Sequence, residues 1–359
     1  MARLVFPALK AALLLGCVTG AHGAVISDGS DGAFVAVAGS NVIDLTLPGR
    51  EDGILNFTTI TIPANATVSF KRNALNTPVF MAATGNIDLL GTVNVSAGGN
   101  LAGPGGGEGG SAGLGDVNCT AAECRLATGG GGVLGGNAGP NADAGGIKST
   151  PGYAGSGGGM ATAGLAADPS RFSRSAPPTA ALSQLPAPLV GGSGGGGGGG
   201  WMFFGVELGG GAGGDGGGAI QFSTLADILF GGTVLANGAN GSYAFTNSGG
   251  TGGPGGGGSG GNVQMVADHI TVQDSAAVQA VGGWGGCLGT ETCDANRPAF
   301  SKLNNGGLGF FDLTARTVTL SDAADIQAVL AVHAVPLPSA WLMLAPGVLL
   351  TGMMRRRST

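Results

Sequence analysis

The chain has 359 residues, 77 of them Gly and 17 Pro, with 10% charged and 5% aromatic residues and a formal net charge of −6. Gly comes in runs such as 191–200 rather than at every third position, which excludes a collagen triple helix. A 43% hydrophobic share with so little charge is the reverse of the disordered signature, and 15 bases against 21 acids disfavour a nucleic-acid partner.

Residues 1–23 carry Arg3 and Lys10, then the apolar run 11–16, then Ala21-His22-Gly23 with small residues where a signal peptidase reads. This is the pattern of a secretory signal helix cut between Gly23 and Ala24. Leu14-Leu15-Gly16-Cys17 is also the pattern of a lipobox, with Leu15 an uncommon choice there, so an ordinary signal peptide is preferred.

After a short N-terminal cap, 24–57, the body repeats itself. Residues 270–281 align without a gap on 318–329, and the frame also fits 60–70; residues 86–93 align in the same way on 227–234. Upstream strands are expected at 79–83, 220–224, 263–267 and 311–315. Each unit reads as strand, short polar link, Ile-Thr-Val-type strand, tight turn and strand, with β-branched residues alternating at period two. A unit of roughly 20 residues cannot bury its apolar face alone, so the units are expected to stack as a parallel β-helix. The fold class is therefore all-β, with coils at 58–97 and 220–334. A β-sandwich is the alternative, and its strands would alternate in direction.

Three insertions interrupt the coils, at 98–219, 241–262 and 283–310. The first has Gly runs, a Pro-containing patch and little periodicity, and reads as a flexible low-complexity loop. Within it, Trp201-Met202-Phe203-Phe204 is an apolar cluster able to dock on the solenoid. Two cysteine pairs, Cys119 with Cys124 and Cys287 with Cys293, sit within insertions and read as local disulfides outside the cytoplasm. A zinc site from all four is disfavoured, because neither pair has two-residue spacing and no His is near.

At the C-terminus, Val335-Pro336-Leu337-Pro338 precedes an uncharged run, 339–354, and then Arg355-Arg356-Arg357. Sixteen residues rise roughly 24 Å as a helix, against a hydrocarbon core of ~30 Å, so the run is a short transmembrane helix. The arginines place its end in the cytoplasm and the body across the membrane. This order of parts resembles the PEP-CTERM sorting signal of Gram-negative bacteria, with Leu337 in place of the usual Glu. The resemblance covers 335–359. It implies recognition of the proline motif by an exosortase, a membrane-embedded cysteine transpeptidase, with cleavage near Pro338 and transfer to the cell surface or exopolysaccharide matrix. Removing both ends takes away five bases and no acid, leaving a body of about −11 that repels anionic polymers unless divalent cations bridge them.

Catalytic chemistry is sparse. No Gly run ends in Gly-Lys-Ser or Gly-Lys-Thr, so nucleotide binding is not expected. His22 leaves with the signal, His333 borders the tail, and His269 takes the repeat position of Thr317, a solvent-facing one. Asp227, Asp268, Asp274, Asp322 and Asp325 recur at similar repeat positions; stacking brings Asp274 near Asp322, and such a column suits calcium. Asp at a turn also simply caps its own backbone, which is the preferred reading, and no metal or cofactor is assigned. Only Arg316 joins these carboxylates as a basic residue. The expectation is a non-catalytic surface protein involved in matrix association, adhesion or aggregation, with a lyase-like polysaccharide enzyme as the alternative.

Overall fold

A computed structural model describes residues 24–98, 101–114, 125–141, 153–166, 175–203, 206–244, 246–247, 250–287 and 304–335. The expected signal and transmembrane helices lie outside them. The described residues contain no helix, and so none long and apolar enough to cross a membrane.

The body is built of coils whose strands pair in parallel along three ladders. The first ladder joins Ile54–Phe57, Val79–Ala83, Ala219–Thr224, the first halves of Asn262–Val272 and Phe310–Leu320, and Val329–Ala334. The second joins Phe34–Val35, Ile60–Ile62, Ile87–Leu89, Asp227–Phe230 and the second halves of the two eleven-residue strands. The third joins Gly39–Asp44, Ala66–Lys71, Thr92–Asn94, Thr233–Leu235, Ala277–Gln279 and Asp325–Gln327. Every pairing in these ladders is parallel, as a solenoid requires and an alternating sandwich does not. The arrangement is consistent with the expected parallel β-helix.

The registers are those of the repeats. Ile270 pairs with Val318 and Val278 with Ile326, while Ile228 pairs with Ile87 and Val234 with Val93. The frame of 60–70 also holds, because Ile60 pairs with Ile87 and Val68 with Val93. Alternation points Ile60, Ile62, Ile87, Leu89, Phe230, Val234 and Val278 into one core, where each is almost fully buried. Burying such a side chain stabilises by roughly 1.5–3 kcal/mol, so a one-residue slip would turn a whole column to solvent.

The stack begins earlier than the expected cap boundary, since 34–57 already supplies strands to all three ladders. Its two ends differ. At the first coil the inward position opposite Val68 is Asn41, whose Nδ2 donates to Val37 O (2.8 Å), Gly39 O (3.1 Å) and Thr67 O (3.2 Å), so that end is closed by a polar side chain. At the last coil the inward positions are Val318, Ile326 and Leu330, half-buried, and Val332, 50% exposed.

The insertions leave from one corner, between the third ladder of one coil and the first ladder of the next, and their described parts are packed rather than flexible. Residues 191–200 run as an extended segment with no internal ladder, and its hydrogen bonds repeat every three residues. Gly192, Gly195 and Gly198 donate to Gly217, Gly214 and Gly211; Gly196 and Gly199 donate to Ser156 and Tyr153; Gly194 and Gly197 donate to Gly131 and Thr128. In return Gly192, Gly195 and Gly198 accept from Gly107, Gly110 and Gly113; Gly194 and Gly197 accept from Gly136 and Gly139; Ser193, Gly196 and Gly199 accept from Ser259, Gly256 and Gly253. One segment is thus surrounded by six others, each bonded to it with a three-residue step. That step is the signature of the polyproline II conformation, a left-handed helix of three residues per turn whose backbone groups all point outward.

Glycine is required here by close approach of backbones. A Cβ on Gly198 would lie 1.9 Å from Gly253 O, and one on Gly213 would lie 2.0 Å from Gly195 O. Segments 236–242, 253–259, 283–286 and 304–309, within the shorter insertions or leading into them, join the same bundle, for example through Gly258 N to Ala239 O and Gly286 N to Gly255 O. A buried loop normally carries unsatisfied polar groups, and this one avoids the cost by bonding segment to segment.

The long insertion also covers the outer side of the first ladder, where Met160, Leu182, Leu185 and Leu189 pack against Phe80, Ala219, Phe310 and Val329. Trp201–Phe203, expected to dock on the solenoid, forms a strand of its own hairpin. It pairs antiparallel with Val206–Leu208, and Trp201 packs on Leu208.

Candidate functional site

On the outer face of the second ladder, parallel stacking sets Asp227, His269 and Thr317 side by side. Asp268 and Arg316 occupy the corner that precedes these strands. Arg316 Nη2 lies 2.5 Å from Asp268 Oδ2 and 2.6 Å from His269 Nε2, and His269 Nε2 lies 3.1 Å from Asp268 Oδ2. All three side chains are about two-fifths exposed. The only basic residue expected among the carboxylates is therefore engaged in an ion pair, on a face rather than in a cleft.

The remaining carboxylates are dispersed. Asp274 and Asp322 fall at equivalent turns, and Asp274 Oδ1 accepts from the hydroxyl of Ser321, which also accepts from Ala323 N at 3.1 Å. Asp325 accepts from its own strand neighbour Gln327. These bonds lie within a strand or turn, or, for Ser321 and Asp274, between equivalent turns of successive coils, and the described residues contain no group of three or more His, Cys, Asp or Glu able to hold a metal ion.

Two polar clusters were not foreseen. The first runs along the covered side of the first ladder: Gln221 Nε2 donates to Gln264 Oε1 (2.6 Å), and Gln264 Nε2 reaches Asp312 Oδ1 (3.4 Å). Asp312 is fully buried, accepts from Thr314 Oγ1 (3.0 Å), and has its Oδ2 3.0 Å from His333 Nε2 on the last strand. Val25, two residues past the expected signal cut, is tied to the same face, its N–H donating to Gln221 Oε1 (3.1 Å) and its C=O accepting from Ser223 Oγ (2.6 Å). The side chains expected to carry chemistry face solvent, and these polar ones serve assembly.

The second cluster lies in the bundle, where Glu108 and Asp215 stand on adjacent segments and Arg72 pairs with Glu108. Burial pushes the Asp215 carboxyl up, against the donation it receives from Gly109 N (2.7 Å), and the Glu108 charge acts in the same direction as burial. A signal for this cluster is present in the sequence. Gly106-Gly107-Glu108-Gly109-Gly110-Ser111 and Gly210-Gly211-Ala212-Gly213-Gly214-Asp215 are Gly-Gly-X triplets, which put every non-glycine residue on one side of a three-fold helix.

Of the other expected sites, Ala24 is exposed and Gly23 lies outside the described residues. Cys287 is buried and disulfide-bonded, which removes it from a zinc site; Cys293, Cys119 and Cys124 lie outside the described residues. Val335 is 49% exposed and donates to Ala315 O (3.0 Å), the last backbone bond of the stack among the described residues. Pro336, Leu337, Pro338, Arg355, Arg356 and Arg357 lie outside the described residues. Compared with protein-family models, curated proteins and solved structures, the chain matches none.

Proposed function

We propose that the chain is an exported, non-catalytic protein of the surface or extracellular matrix of a Gram-negative bacterium, delivered by exosortase-type sorting. The observation that carries this reading is the order at the C-terminus: after the last described strand, Val329–Ala334, the proline motif, the apolar run and the three arginines follow directly in the sequence. Removing such a tail near Pro338 leaves every described strand of the stack in place. The acidic body, near −11 once both ends are gone, supports contact with matrix polysaccharide through bridging divalent cations rather than direct ion pairing.

Deleting 335–359 is expected to release the body into the medium, as read by fractionation and immunoblotting. A truncated chain that stays at the surface would overturn the sorting assignment. A second reading, a lyase-like enzyme, is favoured by one observation, the contact of Asp268, His269 and Arg316. Incubating the folded body with uronic-acid polymers and following absorbance of unsaturated product separates the two, since turnover lost on His269→Ala would replace the non-catalytic reading.

A further inference from the structure

A bundle segment with three residues per turn has two faces closed by neighbouring backbones and a third that can carry side chains. In 281–287 a Cβ on Gly283 or Gly286 would stand 1.9 Å from Ala239 O or Ser242 O, and one on Gly282 would stand 2.2 Å from Gly306 O. The remaining face carries Val281, Trp284 and Cys287. On the adjoining segment Gly238 and Gly241 face the bundle, their Cβ positions 2.3 Å from Gly258 O and 2.4 Å from Gly255 O, and Asn237, Asn240 and Tyr243 recur on another face. The two sets of side chains meet. Asn237 Oδ1 accepts from Val281 N (3.1 Å) and Asn240 Oδ1 from Trp284 N (2.8 Å).

These bonds fix the amides. Each oxygen is held by the neighbouring backbone, so each NH2 group of Asn237 and Asn240 is turned away from it, with no acceptor among the described residues. Asn240 is exposed and Trp284 half-buried. Tyr243, one three-residue step past Asn240 and so about 9 Å along the segment, is 53% exposed. The bundle itself does not need these rings, since Ser111 and Ala212 follow Gly-Gly pairs in other segments. Charge is missing too: 236–244, 253–260, 281–287 and 304–309 contain no Asp, Glu, Lys or Arg, in a body near −11. An anionic partner would need bases here and a bridging cation would need carboxylates. Aromatic rings beside oriented, uncharged amide donors suit a polyol, because a ring covers the C–H face of a sugar while the amides donate to its hydroxyls.

We propose that the strip of Asn237, Asn240, Tyr243 and Trp284 binds a neutral polysaccharide directly, without a bridging cation. It shares with the reading above a polysaccharide partner and rests on nothing else in it.

The test is affinity electrophoresis of the full-length chain in a polyoxyethylene detergent, which carries no sugar, through native gels containing hydroxyethyl cellulose, dextran, galactomannan or alginate. Retardation by at least one of the three neutral polymers is expected, unchanged by EDTA and stronger than that by alginate. Trp284→Ala with Tyr243→Ala should weaken it about tenfold or more, as truncating aromatic anchors does, at an unchanged melting temperature. Asn240→Asp keeps the acceptor for Trp284 N and replaces the outward donor by a charge, so it should weaken binding without touching the fold. No retardation by any neutral polymer, or retardation that both variants leave intact, would overturn the proposal. So would retardation abolished by EDTA, which would return the contact to bridging cations, or self-association lost on Trp284→Ala, which would mean that a second copy covers the strip. Glycan binding by a chain that stays at the surface after deletion of 335–359 would count against the sorting assignment and leave this inference standing.

Discussion

The coils and the glycine bundle solve the same problem, satisfying backbone groups in a dry interior, by opposite means. In the coils each strand bonds its two neighbours in the stack, and side chains such as Phe230, Val234 and Val278 fill the space inside. Around 191–200 only Ser193 carries a side chain, six backbones close on a seventh, and the interior is made largely of the hydrogen bonds themselves. One net hydrogen bond contributes about 0.5–1.5 kcal/mol, and ordering glycine costs more than ordering any other residue, so the bundle depends on having almost every bond made. The comparison teaches that low complexity in a sequence need not mean low order.

The largest effect is expected where a side chain enters the bundle. Gly198→Val puts a branched Cβ where Gly253 O already stands, and should cost about 4 kcal/mol or more, because neither backbone can move without losing its own bonds. Gly98→Ala, whose Cβ meets nothing within 4 Å, should change stability by less than about 0.5 kcal/mol in the same denaturant titration. Equal effects would remove the distinction between packed and open glycines.

A charge on the inward face of the coils should rank next. Val278→Asp buries an unpaired carboxylate in the column of Val93, Val234 and Ile326 and is expected to destabilise by roughly 3–5 kcal/mol. Gln279→Asp, one residue along and facing outward, should be nearly neutral, and thermal unfolding of the pair reads the alternation directly.

The smallest of the three concerns the buried carboxyl of the bundle. Because burial raises the Asp215 pKa, the folded state holds that proton more tightly than the unfolded chain does. Its cost to stability is therefore absent in acid and appears as pH rises through the ordinary carboxylate range. Asp215→Asn keeps the acceptor for Gly109 N and should raise the melting temperature at neutral pH while leaving it nearly unchanged at about pH 2, well below the ordinary carboxylate range. A variant that gains as much in acid as at neutrality would place the effect in packing instead.

Legibility followed side-chain information. The frame shared by 270–281 and 318–329 was readable because β-branched residues recur at fixed inward positions, and a parallel stack must superpose them. The candidate site was readable only as identities: His269 and Arg316 lie 42 and 48 residues from the acids that stacking brings beside them, Asp227 and Asp268. The Gln221, Gln264 and Asp312 stack was hidden for another reason. A polar residue in a strand reads as outward and wet, and only the docking of Val25 and the long insertion over that face makes it buried.

By itself, then, the sequence determined the coils, since inward valines and isoleucines choose a register locally. Tertiary structure alone decided the fate of the glycine runs. A glycine carries no preference for one neighbour over another, so which of six backbones it meets is settled only when the corner of the β stack delivers three insertions to the same place.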